Sequence, residues 1–215
     1  MHGTEAPSPW ITRWAHLVPP GGTVLDVACG YGRHTRYFYA SKNAVASVDS
    51  SQAAIDSIAN MGEAVCADIE AGPWPFAGRA FAGVVVTNYL WRPLLPTLVQ
   101  SVAPGGVLLY ETFAAGNETV GKPSRPDFLL QPGELLRACG ELRVVAFEDG
   151  FVDNPPRFVQ RIAAVREAGR RATTPPSGQR PHGVAVTPLT TVCTADTYSR
   201  RAVVRMLNFR LQPRT

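Results

Sequence analysis

The 215-residue sequence predicts an α/β protein: a doubly wound sheet of seven strands, mostly parallel, with an antiparallel hairpin at its C-terminal end. Three observations predict it. Near-continuously apolar runs alternate with stretches of helical period, as strands buried on both faces require. The last two runs are joined by only "DNPP", too short for a crossover helix, so they pair antiparallel. An acid and two glycines close the first run, where open α/β sheets bind ligands.

Taken in order, Ser8 and Pro9 suit an N-cap and first helical position, and Trp10, Ile11, Trp14, Leu17 and Val18 follow at helical spacing. "PPGG" breaks that helix. Strands are then expected at "TVLDVA", "AVASVD", "EAVCAD", "FAGVVVTN" and "GGVLLYET", with helices near 33–40, 51–60, 93–103 and 132–139. Pro132, Glu134 and Gly140 supply the start and stop of the last helix. "LRVVAFEDGFV" and "RFVQRIAAVRE" form the closing hairpin, which completes the architecture near Glu167.

Residues 1–167 thus read as one domain, an appropriate size for a single core. Residues 168–215 change character: rich in Pro, Thr, Ser and Arg, they are expected to be a basic, partly disordered extension. The extension holds eight arginines and one acid, whereas 1–167 holds 13 Lys+Arg against 16 Asp+Glu. The net charge of +4 therefore belongs to the tail and is no argument for nucleic-acid binding by the mildly acidic body. The N-terminus has neither the basic region nor the apolar run of a signal peptide, and no stretch is long enough to span a membrane, so a cytoplasmic protein is expected. The four cysteines form no C-x-x-C pair and do not cluster with the four histidines, which argues against a metal centre.

The stretch "VLDVACGYGRHT", 24–35, places Asp26 inside the first strand and Gly30 and Gly32 in the turn behind it. Glycines there let backbone approach a ligand closely. Asp49 ends the second strand, where a carboxylate can accept from both hydroxyls of a ribose. Asp68 ends the third, where a carboxylate can accept from an exocyclic amine. A dinucleotide fits poorly, since the third glycine position of G-x-G-x-x-G is Thr35 and Asp26 would face a pyrophosphate with like charge. An ammonium at that end suits Asp26. Adenine, ribose and an amino-acid ammonium together describe S-adenosyl-L-methionine.

From about residue 8 to 167 the chain resembles the class I S-adenosylmethionine-dependent methyltransferases, which have a Rossmann-like sheet. "VLDVACGYGRHT" is similar to their first motif, "ASVDSS" to their ribose acid, "CADIE" to their adenine acid and "APGGVLLYET" to their fifth strand. The resemblance implies that Asp26, Gly30 and Gly32 contact the methionine arm, with Ala28 beside them. It implies Asp49, with Ser50 next to it, at the ribose, and Asp68 and the Ile69 backbone at the adenine. "CGYGRHT" also resembles the small-molecule branch that includes tellurite-resistance methyltransferases.

Methyl transfer from a sulfonium is an in-line displacement, so alignment supplies most of the catalysis. Asn88 and Tyr89, in "TNYLWRP" after the fourth strand, are expected to orient the acceptor as the catalytic pair, and Trp91 to pack in the core. The sequence lacks both the Asp/Asn-Pro-Pro-aromatic tetrapeptide and the Pro-Cys of nucleobase-methylating relatives, which disfavours a nucleic-acid substrate. The expected activity is methyl transfer to a small-molecule acceptor, with the long segment 113–131 closing over the site and Arg33, His34, Lys122 and Arg125 as sources of positive charge. Two other readings are a non-catalytic cofactor-binding protein and an NAD-linked oxidoreductase.

Overall fold

The computed structural model describes residues 5–169, so the expected extension from 170 onward lies outside the described residues. The N-terminal helix α1 (Pro9–Trp14) begins where the Ser8 hydroxyl accepts from the Trp10 N–H at 3.1 Å, with Pro9 filling the first position. A single 3₁₀ turn follows, and then β1 (Val24–Val27), α2 (Arg33–Ala40), β2 (Val45–Asp49), α3 (Gln52–Asp56) and β3 (Glu63–Cys66). The second half comprises β4 (Phe81–Thr87), α4 (Leu95–Gln100), β5 (Val102–Phe113), α5 (Glu134–Ala138), β6 (Arg143–Asp153) and β7 (Pro156–Val165).

The seven strands form one sheet in the order β3-β2-β1-β4-β5-β7-β6. The first five are parallel, and β7 inserts between β5 and β6, antiparallel to both. Strand order reverses between β1 and β4, the switch point that opens a crevice beyond their carboxyl ends.

Strand alternation divides the core. Val24, Val45, Val85, Val107 and Leu109 face the side covered by Trp10 and Ile11 of α1 and Phe38 of α2. Leu25, Val27, Val48, Val84, Val86, Leu108 and Tyr110 face the other, with Leu98 of α4 and Leu135 of α5. By the same alternation Asp26, Thr87 and Glu111 fall on the α1–α2 side. That parity later decides what they touch.

All seven expected strands are present, and the differences lie at the ends of elements. Helix α3 stops at Asp56, because the Ser57 hydroxyl donates back to the Ala54 carbonyl at 2.6 Å and competes with helix continuation. α4 starts after a 3₁₀ turn over Arg92–Leu94. β5 begins three residues before the Gly-Gly pair, at a cost of one register shift against β4. α5 starts at Glu134, not Pro132, since Gly133 adopts φ +66° and forms its N-cap. No helix among the described residues is long and apolar enough to cross a membrane.

Candidate active site

The turn after β1 carries positive φ at three alternate residues: Ala28 (+50°), Gly30 (+53°) and Gly32 (+75°). The two glycines serve different ends. A side chain on Gly32 would meet Ile58 Cγ2 at 2.4 Å, so Gly32 lets the turn pack against the segment after α3. A side chain on Gly30 would meet no described atom within 4 Å. The backbone at Gly30 faces open space.

Asp49, at the end of β2, ties into that turn. Its Oδ2 accepts the Gly30 N–H at 2.8 Å and its Oδ1 the Ser51 N–H at 2.9 Å. Each carboxylate oxygen has a second lone pair, so two acceptor positions remain beside the open turn. Ser50 is exposed, and its carbonyl accepts from the Cys66 thiol at 3.5 Å.

Asp26 is buried on the α2 side of β1, and its Oδ2 accepts from both the N–H (2.9 Å) and the hydroxyl (2.8 Å) of Thr35. The Thr35 hydroxyl also contacts Ser47 Oγ at 2.9 Å. Burial pushes the Asp26 carboxyl up to about 7, against the opposing Thr35 hydrogen bonds and the Arg33 charge. The acid expected at the cofactor's ammonium is thus also the clasp between β1 and the first turn of α2. This explains why Thr35 stands where a dinucleotide fold would have a glycine.

Asp68 lies exposed beyond β3, its Oδ1 accepting from the N–H groups of Glu70 (2.9 Å) and Ala71 (3.1 Å), which hold its carboxyl below the usual range. Ile69 turns the other way, into the larger apolar cluster.

Beyond β4 the chain turns at Asn88, an exposed residue with φ +55° whose N–H donates to the Glu111 carbonyl at 2.9 Å. A non-glycine residue held there stores strain of about 1 kcal/mol or more. Tyr89 follows, its carbonyl accepting from Tyr110 Oη at 2.8 Å and its ring packed on the apolar cluster that contains Ile69. Its own hydroxyl is shielded from solvent and has the Glu70 carboxylate as its acceptor. Burial first, and then the Glu70 and Asp68 carboxylates, push its phenol up. The two residues expected to act together on the acceptor therefore diverge: Asn88 faces solvent, whereas the Tyr89 hydroxyl lies toward the Asp68–Glu70 turn.

A polar network that the sequence did not reveal fills the other side of the strand ends. Ser8 donates its N–H to His34 Nε2 (3.1 Å) and its hydroxyl to Glu111 Oε1 (3.2 Å). Because His34 Nε2 accepts, the neutral ring carries its proton on Nδ1, which faces Thr87 Oγ1 at 3.4 Å. Arg33 donates to the same hydroxyl oxygen at 3.3 Å. With both lone pairs of Thr87 Oγ1 engaged, its proton remains for a further acceptor. Burial, then the Arg33 charge, lowers the His34 pKa to about 3, so the ring stays neutral. Glu111, fully buried, is flanked by Arg157 (3.3 Å) and by Arg161 Nε, an ion-pair contact at 2.7 Å.

The long segment after β5 is fastened by Arg92, whose guanidinium donates to the carbonyls of Asp127 (2.8 Å) and Leu129 (2.9 Å) and to both oxygens of Glu134 (2.8 and 3.1 Å). Lys122 is exposed, and Arg125 pairs with Asp127 at the surface. Neither joins Arg33 and His34 in the network.

The fold is that of the solved S-adenosylmethionine-dependent methyltransferases to which the chain is similar. Residues 24–106 match the family model described as a methyltransferase domain. Among solved structures, the chain is similar to TehB from Haemophilus influenzae at 18% identity and TM-score 0.63, covering 77% of this chain and 64% of that one. It therefore spans less than two thirds of that protein's length. A TehB-like SAM-dependent methyltransferase from Corynebacterium glutamicum shares 16% identity at TM-score 0.55, covering 74% of this chain and 87% of that one. The N-methyltransferase NodS from Bradyrhizobium japonicum shares 16% identity at TM-score 0.55, covering 73% and 93%. No curated protein sequence matches this chain.

Proposed function

We propose that this protein transfers a methyl group from S-adenosylmethionine to a small-molecule acceptor. The observation that carries the reading is the Asp49–Gly30 bond, which sets a carboxylate with spare acceptor positions beside open glycine backbone at the switch point. These residues fit the cofactor: Asp49 and Ser50 would hold the ribose, Gly30 and Ala28 the methionine arm, and the Asp68–Ile69 turn the adenine. Gly32 and Asp26 keep the turn and α2 in place. Asp26 would also offset the cofactor's ammonium, to the extent that it ionises.

When bound, the cofactor would supply an electrophilic methyl on a sulfonium, which passes to the acceptor's nucleophile as the neutral thioether leaves. This chain's part is alignment and exclusion of water. The Thr87 hydroxyl, steadied by His34 and Arg33, donates to the acceptor, and Asn88 borders it. The segment fastened by Arg92 walls the site. The neighbours named for N-methylation, NodS and the glycopeptide methyltransferase MtfA complexed with S-adenosylhomocysteine, support acceptors outside nucleic acid.

The test is transfer of a labelled methyl from S-adenosylmethionine into a fractionated small-molecule extract. Label in a discrete low-molecular-weight product with matching S-adenosylhomocysteine release is expected. Cofactor binding with no label in any fraction would leave only a binding protein, and protection by NAD but not by S-adenosylmethionine would favour the oxidoreductase.

A further inference from the structure

We infer that the methyl acceptor carries a carboxylate and that the Arg33 guanidinium receives it beside the Thr87 hydroxyl. The inference rests on the cofactor reading above and names the acceptor's class within it. Arg33 opens α2 directly behind the glycine turn, and its Nη2 reaches the end of β4, where it donates to Thr87 Oγ1 at 3.3 Å. The head group is thereby held at the switch point, where strand order reverses between β1 and β4. The Arg33 side chain is only 21% exposed. A guanidinium withdrawn this far from water needs a close partner of opposite charge. Among the described residues its ion pair is with Glu5, whose Oε2 lies 3.8 Å from Nη1, too long for a hydrogen bond, on a side chain 76% exposed.

The other acids at this end of the sheet are engaged elsewhere. Thr35 holds Asp26, the Gly30 and Ser51 N–H groups hold Asp49, and Glu111 lies between Arg157 and Arg161. His34 stays neutral, so the positive charge that meets Thr87 is Arg33's. The planar fork of N–H donors on a guanidinium matches the two oxygens of a carboxylate, a pairing that an alcohol or an amine cannot make. Glu5 marks the side from which a carboxylate reaches that fork. An acceptor carboxylate seated there would replace a long contact by hydrogen bonds, with the Thr87 proton next to it. The cofactor brings a carboxylate of its own, but its arm is assigned to the turn at Gly30, which is tied to Asp49 of β2. Arg33 leans the other way, across β1 to β4.

The experiment treats the full chain, loaded with S-adenosylhomocysteine, with phenylglyoxal and follows modification of Arg33 by mass spectrometry. Acetate or benzoate is present in one arm, acetamide or benzamide in the other. The carboxylates should slow Arg33 modification severalfold and saturably, and the amides should not. Equal rates with carboxylate and amide overturn the inference. Inorganic phosphate that protects as well as the carboxylates also overturns it, since any anion would then serve. S-adenosylhomocysteine and its decarboxylated analogue, each added alone, distinguish the source of the group. If the first protects Arg33 and the second does not, the carboxylate is the cofactor's and the inference fails. In the labelled-methyl assay, Arg33→Gln should raise the acceptor's KM by about 10- to 100-fold, the scale of hydrogen bonds to a charged group, and Arg33→Lys should recover part of that loss. S-adenosylhomocysteine affinity should be unchanged in both. A labelled acceptor that has no carboxylate overturns the inference. A wild-type chain that binds no S-adenosylhomocysteine in calorimetry sinks the cofactor reading itself, whereas tight binding with an unprotected Arg33 sinks only this assignment.

Discussion

Asp49 Oδ2 accepts the N–H of Gly30 at 2.8 Å, so the acid that ends β2 and the glycine turn that follows β1 form a single unit. Neither is free to move without the other. The carboxylate orders the turn, and the turn in return orients the carboxylate.

Asp49→Ala removes both halves of this unit. S-adenosylhomocysteine affinity should fall by about 1.5–3 kcal/mol, the scale of hydrogen bonds to a charged group. Asp49→Asn, which retains an acceptor for the Gly30 N–H, should lose less. Calorimetry showing Asp49→Ala at wild-type affinity would remove the ribose assignment.

Substitutions at the two glycines should fail in different ways. Both sit at positive φ, where a side chain costs roughly 1–2 kcal/mol. At Gly32 an added Cβ also meets Ile58 at 2.4 Å, so Gly32→Ala should lower the melting temperature more than Gly30→Ala does. Gly30→Val, with space for its side chain in the apo protein, should remain folded and lose cofactor binding. A Gly30→Val protein that binds S-adenosylhomocysteine normally would show that the turn lies away from the cofactor.

Stability should depend on pH through two buried groups acting in opposite directions. The Asp26 carboxyl is raised from 3.8 to about 7, so the folded state binds the extra proton and stability falls as pH rises between those values. The His34 ring is lowered from 6.5 to about 3, so its contribution is complete above 6.5 and is lost as pH falls toward 3. Between about pH 4 and 6.5 the two slopes oppose each other. Denaturant melts of Asp26→Asn against wild type should show a relative gain in the variant as pH rises from 4 to 7. His34→Gln against wild type should show a relative gain as pH falls from 6.5. A difference profile that is flat for either variant would contradict its assigned burial effect.

Thr87→Val and Asn88→Ala should lower turnover against the acceptor found by methyl labelling, by about 10- to 100-fold if alignment is their role. Cofactor affinity should stay within about twofold of wild type, since neither contacts Asp49, Asp68 or the glycine turn. Thr87→Ser, which keeps the hydroxyl, should recover most of the Thr87→Val loss. A fall in cofactor affinity in either first variant would place that residue on the other side of the methyl group.

By itself the sequence determined the α/β class, all seven strands, the antiparallel pairing of the last two, and the order of Asp26, Gly30, Asp49 and Asp68 along the first three strands and the turns that follow them. These are local matters: apolar runs, turn residues and a four-residue link too short for a crossover. Only the tertiary structure decided which side chains meet. Asp26 lies one residue from Leu25, yet strand alternation turns it to α2, where Thr35, nine residues on, satisfies it. Ser8, His34, Thr87 and Glu111 share no motif and become neighbours because helix, strand and sheet parity converge on one face. Arg92 carries no sequence signal of its role, since its partners at Asp127, Leu129 and Glu134 lie beyond a whole strand. Asn88 and Tyr89 are adjacent in sequence and part company because a positive φ at the first reorients the second. Periodicity is written in neighbouring residues, but a contact between distant ones depends on the pleat, the register and the turn geometry that only the packed chain fixes.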